Sequence, residues 1–362
     1  MAKEHDRDYS SGEAADYSEL ELDPQTGAVG TISSETVSVA VAIEPEVFDE
    51  PEPASMLTAD RLLQDKARPR EIPETFWRKL VYHLTFGHVN LGDSPKVAAR
   101  KALNRRISAD LTGQTRFVPV LTRKGGVGKT TVTTLIGMAL ASIREDRILA
   151  IDANPDRGTL AERVIRGTSK TVRDVVNKAS SITGFKPFSD YVSRDATRLD
   201  VLASDTDPMI SEAFDEGDYN VVADIAARYY SVVLTDCGTG IVHSVMRAIL
   251  QRADSLVVVS GGSVDEAKLA SETLTWLEAN GYGELVKDSV VALNTATFGT
   301  DLVKIDEIES HFATRVRAVV RIPYDPLLAA GAEVNFDKLH PATKQAARDL
   351  AALVVDGLVV ER

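Results

Sequence analysis

The stretch Arg123-Lys124-Gly125-Gly126-Val127-Gly128-Lys129-Thr130-Thr131 decides how the rest of the chain is read. It follows an apolar run, Phe117 to Leu121, that reads as a buried strand, and it precedes Val132 to Ala141, which reads as a helix. A strand, a glycine-rich turn and a helix start form a phosphate cradle. The glycines let backbone N–H groups approach an anion, and the helix N-terminus adds a positive end. In such a cradle Lys129 reaches the β- and γ-phosphates of a nucleotide and the Thr130 hydroxyl ligates Mg²⁺. A glycine turn that merely precedes a helix has no reason to carry Gly-Lys-Thr at this spacing with both flanks in place.

Working outward, apolar strand-like runs alternate with helical ones from residue 113 to 362, which implies an α/β fold with a doubly wound, mainly parallel sheet. The expected strands are Phe117–Leu121, Ile148–Ile151, Leu199–Leu202, Val232–Leu234, Leu256–Val259, Val290–Leu293 and Val319–Ile322. Their β-branched content suits strands covered on both faces. Ser263-Val264-Asp265-Glu266 is a capping box that opens a helix to Asn280, with Gly281 as its stop.

Ligands of doubly wound sheets bind at the carboxyl ends of strands. Two strands end in acids, Ile151-Asp152-Ala153-Asn154-Pro155-Asp156 and Val232-Val233-Leu234-Thr235-Asp236-Cys237-Gly238. Asp152 and Asp236 therefore face the phosphate and Mg²⁺ zone, with Asp236 a metal ligand directly or through water, since hard cations take oxygen ligands. Gly238 supplies an N–H and freedom to move when a γ-phosphate leaves. Asn294 ends one later strand and Ile322-Pro323-Tyr324-Asp325 the next; taken alone they are strand-end loops with no assigned role. Cys237 reads as packing, with no His near it in sequence.

An apolar fraction of 44% is enough for a real core. A single cysteine excludes an internal disulfide and a cysteine-ligated zinc or iron–sulfur cluster, and it points to a reducing compartment. The first residues have no apolar core of a signal peptide, and no run approaches the length of a spanning helix. The expected location is the cytoplasm, with recruitment to a membrane by a partner as a further option. The net charge of −13 is unevenly placed: residues 1–60 hold fifteen Asp/Glu and two Lys/Arg, and the remainder is balanced. Residues 1–58 form an acidic, proline-punctuated tail that cannot bury enough surface to offset its chain entropy and is expected to be disordered. Within it, Glu44 to Glu52 interleaves acids with Val47 and Phe48, as a short docking motif does.

Residues 59–112 turn basic: ten Lys/Arg stand against Glu71, Glu74 and Asp93 between 66 and 106. Phe76 to Leu84 is one amphipathic piece. Pro95 to Ile107 is a second, with Asp93 or Ser94 as its cap. This extension either packs on the 113–362 domain, docks a protein partner, or lies on an anionic membrane or nucleic acid through residues 76–106. His83 and His88 do not read as a metal site.

The Lys124-Gly125-Gly126-Val127-Gly128-Lys129-Thr130 form departs from the general phosphate-loop pattern in carrying a second lysine. It resembles the deviant Walker A box of the ParA/MinD superfamily of ATPases, and the resemblance covers roughly 113–362. It implies ATP and Mg²⁺ as cofactors, bound by Lys124 to Thr131, with Thr130, Asp152 and Asp236 on the metal. Lys124 would cross the interface of an ATP-dependent homodimer to the partner subunit's nucleotide. Asn294, Pro323, Tyr324 and Asp325 would hold the adenine. Asn154 stands where the family has an acid tied to the attacking water; an amide orients water but cannot take its proton, so hydrolysis is expected to be slow unless Asp156 substitutes. Catalysis would rest on Lys124, Lys129, Asp152 and Asn154. Asp152-Ala153-Asn154-Pro155-Asp156-Arg157-Gly158-Thr159-Leu160, with Trp77-Arg78-Lys79-Leu80 and Val89-Asn90-Leu91-Gly92, looks like the actinobacterial MinD-like ATPases of EspI type, some encoded beside type VII secretion systems. That likeness implies a switch that regulates or positions secretion machinery. The alternatives are a ParA-like DNA or plasmid partition ATPase and a nucleotide-sensing adaptor with little hydrolysis.

Overall fold

The computed structural model describes Thr85 and residues 93–111, 113–154, 158–205, 214–295 and 303–359. The acidic tail, its 44–52 motif, the 76–84 piece, His83, His88 and Asp156 lie outside the described residues.

Eight strands form one sheet: β1 (Arg116–Leu121), β2 (Ile148–Ala153), β3 (Ser193–Arg194), β4 (Asp200–Leu202), β5 (Val232–Cys237), β6 (Val257–Gly261), β7 (Val290–Asn294) and β8 (Ala318–Ile322). Their order is β3-β4-β2-β5-β1-β6-β7-β8. Every pairing is parallel except β3 on β4. The helices of nine or more described residues are α1 (Pro95–Ile107), α2 (Lys129–Ile143), α3 (Glu216–Ala226), α4 (Ser244–Arg252), α5 (Val264–Ala279), α6 (Ile305–Ala313) and α7 (Pro341–Val359). None of them is long and apolar enough to cross a membrane.

The period-2 alternation of the strands divides the core in two. Phe117, Leu121, Leu149, Ile151 and Val233 join one apolar cluster with α3, α4 and α5. Val118, Val120, Ile148, Ala150, Val232 and Leu234 join the other, with α2 and α7. Both faces are covered, so the strands carry apolar residues at nearly every position. The expected doubly wound fold is the one found. β3 was not anticipated: two residues carry no period. It is held as an antiparallel edge by the Arg194 guanidinium, whose Nε and Nη2 donate to the Asp200 carboxylate at 2.7 and 2.8 Å.

Capping chemistry sets two helix starts as read. Ser94 caps α1, with Pro95 at its first position. Ser263 and Glu266 form the capping box of α5, and Gly281 just past its end has φ of 90°. α1 buries Leu103 and Ile107 in the α2/α7 cluster. Its Arg106 faces Asp356 of α7. The basic piece Pro95–Ile107 thus packs on the sheet domain.

Candidate functional site: a phosphate loop over two strand-end acids

β1 delivers the chain to the loop 122–128, and α2 begins at Lys129. Gly126 and Gly128 have φ of 83° and 94°, the left-handed region that favours glycine. A Cβ on Gly128 would also meet the Asn294 side chain at 2.3 Å. No side chain caps the N-terminus of α2, so its first N–H groups and the positive end of a 15-residue helix face the loop.

Below the loop, β2 and β5 are paired so that Asp152 is the direct neighbour of Asp236. Both carboxylates are buried. Asp236 accepts from Lys129 Nζ at 2.6 Å, Thr130 Oγ1 at 2.6 Å and Thr133 Oγ1 at 3.4 Å. Asp152 accepts from the backbone N–H of Asn154 at 3.2 Å and of Leu160 at 3.0 Å. Thr159 Oγ1 lies 3.3 Å from Thr130 Oγ1. Four oxygen-bearing side chains, Thr130, Thr159, Asp152 and Asp236, therefore crowd one spot.

Burial, and then the Asp236 charge beside it, push the Asp152 carboxyl up to about 7, against the two backbone N–H donors. Burial disfavours the Lys129 ammonium, yet Asp236 outweighs it and the pKa is raised. The Cys237 thiol is buried and pushed up to about 12, which keeps it protonated and inert. No group of three His, Cys, Asp or Glu suited to a metal exists among the described residues. Two carboxylates and two hydroxyls nevertheless fit Mg²⁺, which takes one or two protein carboxylates and completes its shell with water and substrate phosphates.

The remaining predicted residues divide. Lys124 Nζ lies 3.2 Å from Asp265 and 4.0 Å from Glu266, at the start of α5. Asn154 follows β2, its N–H turned onto Asp152. Asn294 Nδ2 donates to Val127 O at 2.8 Å, which ties the end of β7 to the loop. Thr295 N and Oγ1 donate to Ile322 O at 3.0 and 2.8 Å, which sets Pro323 and the exposed Tyr324 beside that end. Asp325 is buried; it accepts from Leu327 N at 3.0 Å and His340 N at 2.9 Å, so its carboxylate shapes the loop.

Sequence reasoning passed over four participants. Thr159 and Ser204 enter from loops, and a Cβ on Gly158 would meet Ser204 Oγ at 1.6 Å and Asp152 Oδ2 at 2.6 Å. Asp265 and Glu266 were legible only as capping residues, although they also hold Lys124.

Residues 118–333 match the family model described as the CobQ/CobB/MinD/ParA nucleotide binding domain. The chain is 36% identical over 282 residues to the ESX-1 secretion-associated protein EspI of Mycobacterium tuberculosis, an alignment covering 77% of this chain and 42% of EspI. The chain thus spans less than half the length of that relative. Among solved structures, a ParA family ATPase from Chlorobium tepidum TLS superposes with a TM-score of 0.56 at 22% identity, over 66% of this chain and 97% of that one. The septum site-determining protein MinD complexed with Mg-ADP, from Pyrococcus horikoshii OT3, gives 0.53 at 19%, over 66% and 94%. At these identities the two structures show a common fold.

Proposed function

The chain belongs to the CobQ/CobB/MinD/ParA nucleotide-binding family, and on that premise we propose that it is an ATP- and Mg²⁺-dependent dimerising switch acting on a partner machinery of the type VII secretion kind. The observation that supports this most is the β2–β5 register, which gathers Asp152 and Asp236 beneath Lys129 and Thr130. The N–H groups of Gly125 to Thr131 cradle the phosphates, and Lys129 turns its ammonium from Asp236 to the β/γ-phosphates. Thr130, Asp152 and Asp236 hold Mg²⁺, which when bound neutralises phosphate charge. Asn294 keeps its Oδ1 for the base, Pro323 and Tyr324 flank it, and Asp325 fixes that loop.

Lys124 leaves Asp265 and Glu266 to reach the partner subunit's nucleotide. That pair is partly exposed, the lysine side chain about a third and Asp265 more than half. An exposed ion pair is worth at most about 1 kcal/mol, so the release is a small step beside the gain at a γ-phosphate. Asn154 orients water without taking its proton, and turnover is accordingly slow. The same residue favours a second reading, an adaptor that binds ATP, dimerises and hardly hydrolyses. The secretion assignment rests on the likeness to EspI.

Light scattering after size exclusion, with ATP and with ADP, tests the switch. Lys129→Ala is expected to bind neither nucleotide. Lys124→Ala is expected to bind ATP and remain monomeric where the native chain dimerises. A Lys124→Ala protein that dimerises with ATP refutes the bridging role.

A further inference from the structure

The two lysines of the phosphate loop are held in different ways. Lys129 faces the buried Asp236. Lys124 faces the start of α5: its Nζ donates to Asp265 Oδ2 at 3.2 Å and lies 4.0 Å from Glu266 Oε1. The neighbouring Arg123 Nη1 stands 3.9 Å from Glu272 Oε2, further along the same helix. These pairs strap the loop to α5.

The two acids that hold Lys124 are not equivalent. Glu266 is fixed by another duty. Its Oε2 accepts from Ser263 N at 3.1 Å in the capping box, and it packs so closely on the end of β6 that a Cβ on Gly261 would meet it at 2.1 Å. Asp265 takes no part in that cap, and its side chain is 77% exposed. Its charge in the first turn suits the positive end of α5 with or without a lysine nearby.

The pair sits on a rim that is apolar as well as charged. Val264, beside Asp265, and Val242, just past β5, are the two most exposed large apolar side chains among the described residues, at 70% and 81%. Both follow the carboxyl ends of strands parallel to β1, on the edge of the sheet that carries the phosphate loop. A second copy laid over the loop would cover this rim. The Lys124–Asp265 pair then either opens or is buried whole, and burying it whole costs desolvation.

We propose that Asp265 is a latch that keeps Lys124 on its own subunit and so sets the threshold at which nucleotide-loaded chains pair. The proposal rests on the reading above in which Lys124 crosses to the partner subunit's nucleotide. A lysine held at home breaks this pair before it crosses. An exposed ion pair shifts an equilibrium by up to about fivefold. Two latches open per dimer, so that factor enters the dimer constant squared.

Light scattering of the full chain over a concentration series, in saturating Mg-AMPPNP and without nucleotide, tests this. Asp265→Asn is expected to lower the dimer dissociation constant by about threefold or more with nucleotide, and to stay monomeric without it. The ratio between the native and Asp265→Asn constants is expected to shrink as salt is raised, since salt screens an exposed pair. Lys124→Ala, alone or combined with Asp265→Asn, is expected to stay monomeric. An Asp265→Asn constant equal to or above the native one, or a gain unmoved by salt, overturns the latch and leaves the switch standing. Dimerisation of Asp265→Asn without nucleotide, or of the double variant with it, also overturns the latch, because the carboxylate would then oppose the partner directly. A Lys124→Ala chain that dimerises, or a native chain that does not, overturns the latch together with the crossing of Lys124.

Discussion

At the scale of single residues, Asp152 is where pH acts. An ordinary carboxyl releases its proton near pH 4, and the folded chain holds the Asp152 proton to about 7. Between these values the folded state binds more protons than the unfolded one, so stability falls as pH rises. The contribution is fully present below about pH 4 and is lost as pH passes through about 7. Denaturant melts of nucleotide-free protein in EDTA are expected to show this decline, and Asp152→Asn is expected to flatten it, since an amide carries no titrating charge next to Asp236 and Lys129. How much of this was legible follows from where each residue sits. Asp152 and Asp236 stand out in the sequence because each ends an apolar run. Their adjacency is not written there, because the β2–β5 register joins positions far apart in the chain. Ser204 gave no signal, and Thr159 none beyond its place in the 152–160 stretch that carries the family likeness: each lies in a loop whose path depends on its neighbours.

At the scale of elements, α2 shows how the loop is anchored from behind. Arg144 follows its last turn in extended backbone, and the carbonyls of Ala141 and Arg144 are taken by Arg198 Nη2 at 2.8 and 2.6 Å. Arg198 holds φ of 80°, an uncommon conformation for a residue with a side chain. The two charged hydrogen bonds repay that strain: such bonds are worth about 1.5–3 kcal/mol each, and left-handed backbone costs about 1–3 kcal/mol. Arg198→Ala keeps the strain and loses the bonds; a loss of about 2 kcal/mol or more is expected in urea unfolding, with the nucleotide site chemically untouched. Seven strands and the α1 and α5 caps were readable because apolar runs and capping boxes are local patterns. The 193–194 edge strand and this helix end were not, since both depend on arginines whose partners lie elsewhere: Arg194 on Asp200, Arg198 on the end of α2.

At the scale of the molecule, α1 belongs to the sheet domain. Ile107 is fully buried in the cluster shared with α2 and α7, and Ile107→Ala is expected to cost about 2–5 kcal/mol by cavity formation, read as a lowered urea midpoint. Had this helix been a free basic arm, the same substitution would change nothing. Basic composition alone left that open; the apolar pair Leu103 and Ile107, four residues apart on one helical face, is the feature that decides it. The pairing of α1 with α7 also fixes an order of events at the ribosome. Arg106 is synthesised 250 residues before Asp356, the α7 residue it meets. At roughly 5–20 residues per second, the α7-facing side of α1 waits on the order of 10–50 seconds for its cover. That side of α1 is therefore covered only once α7 has been made, and the half-made chain depends on its surroundings to shield it until then.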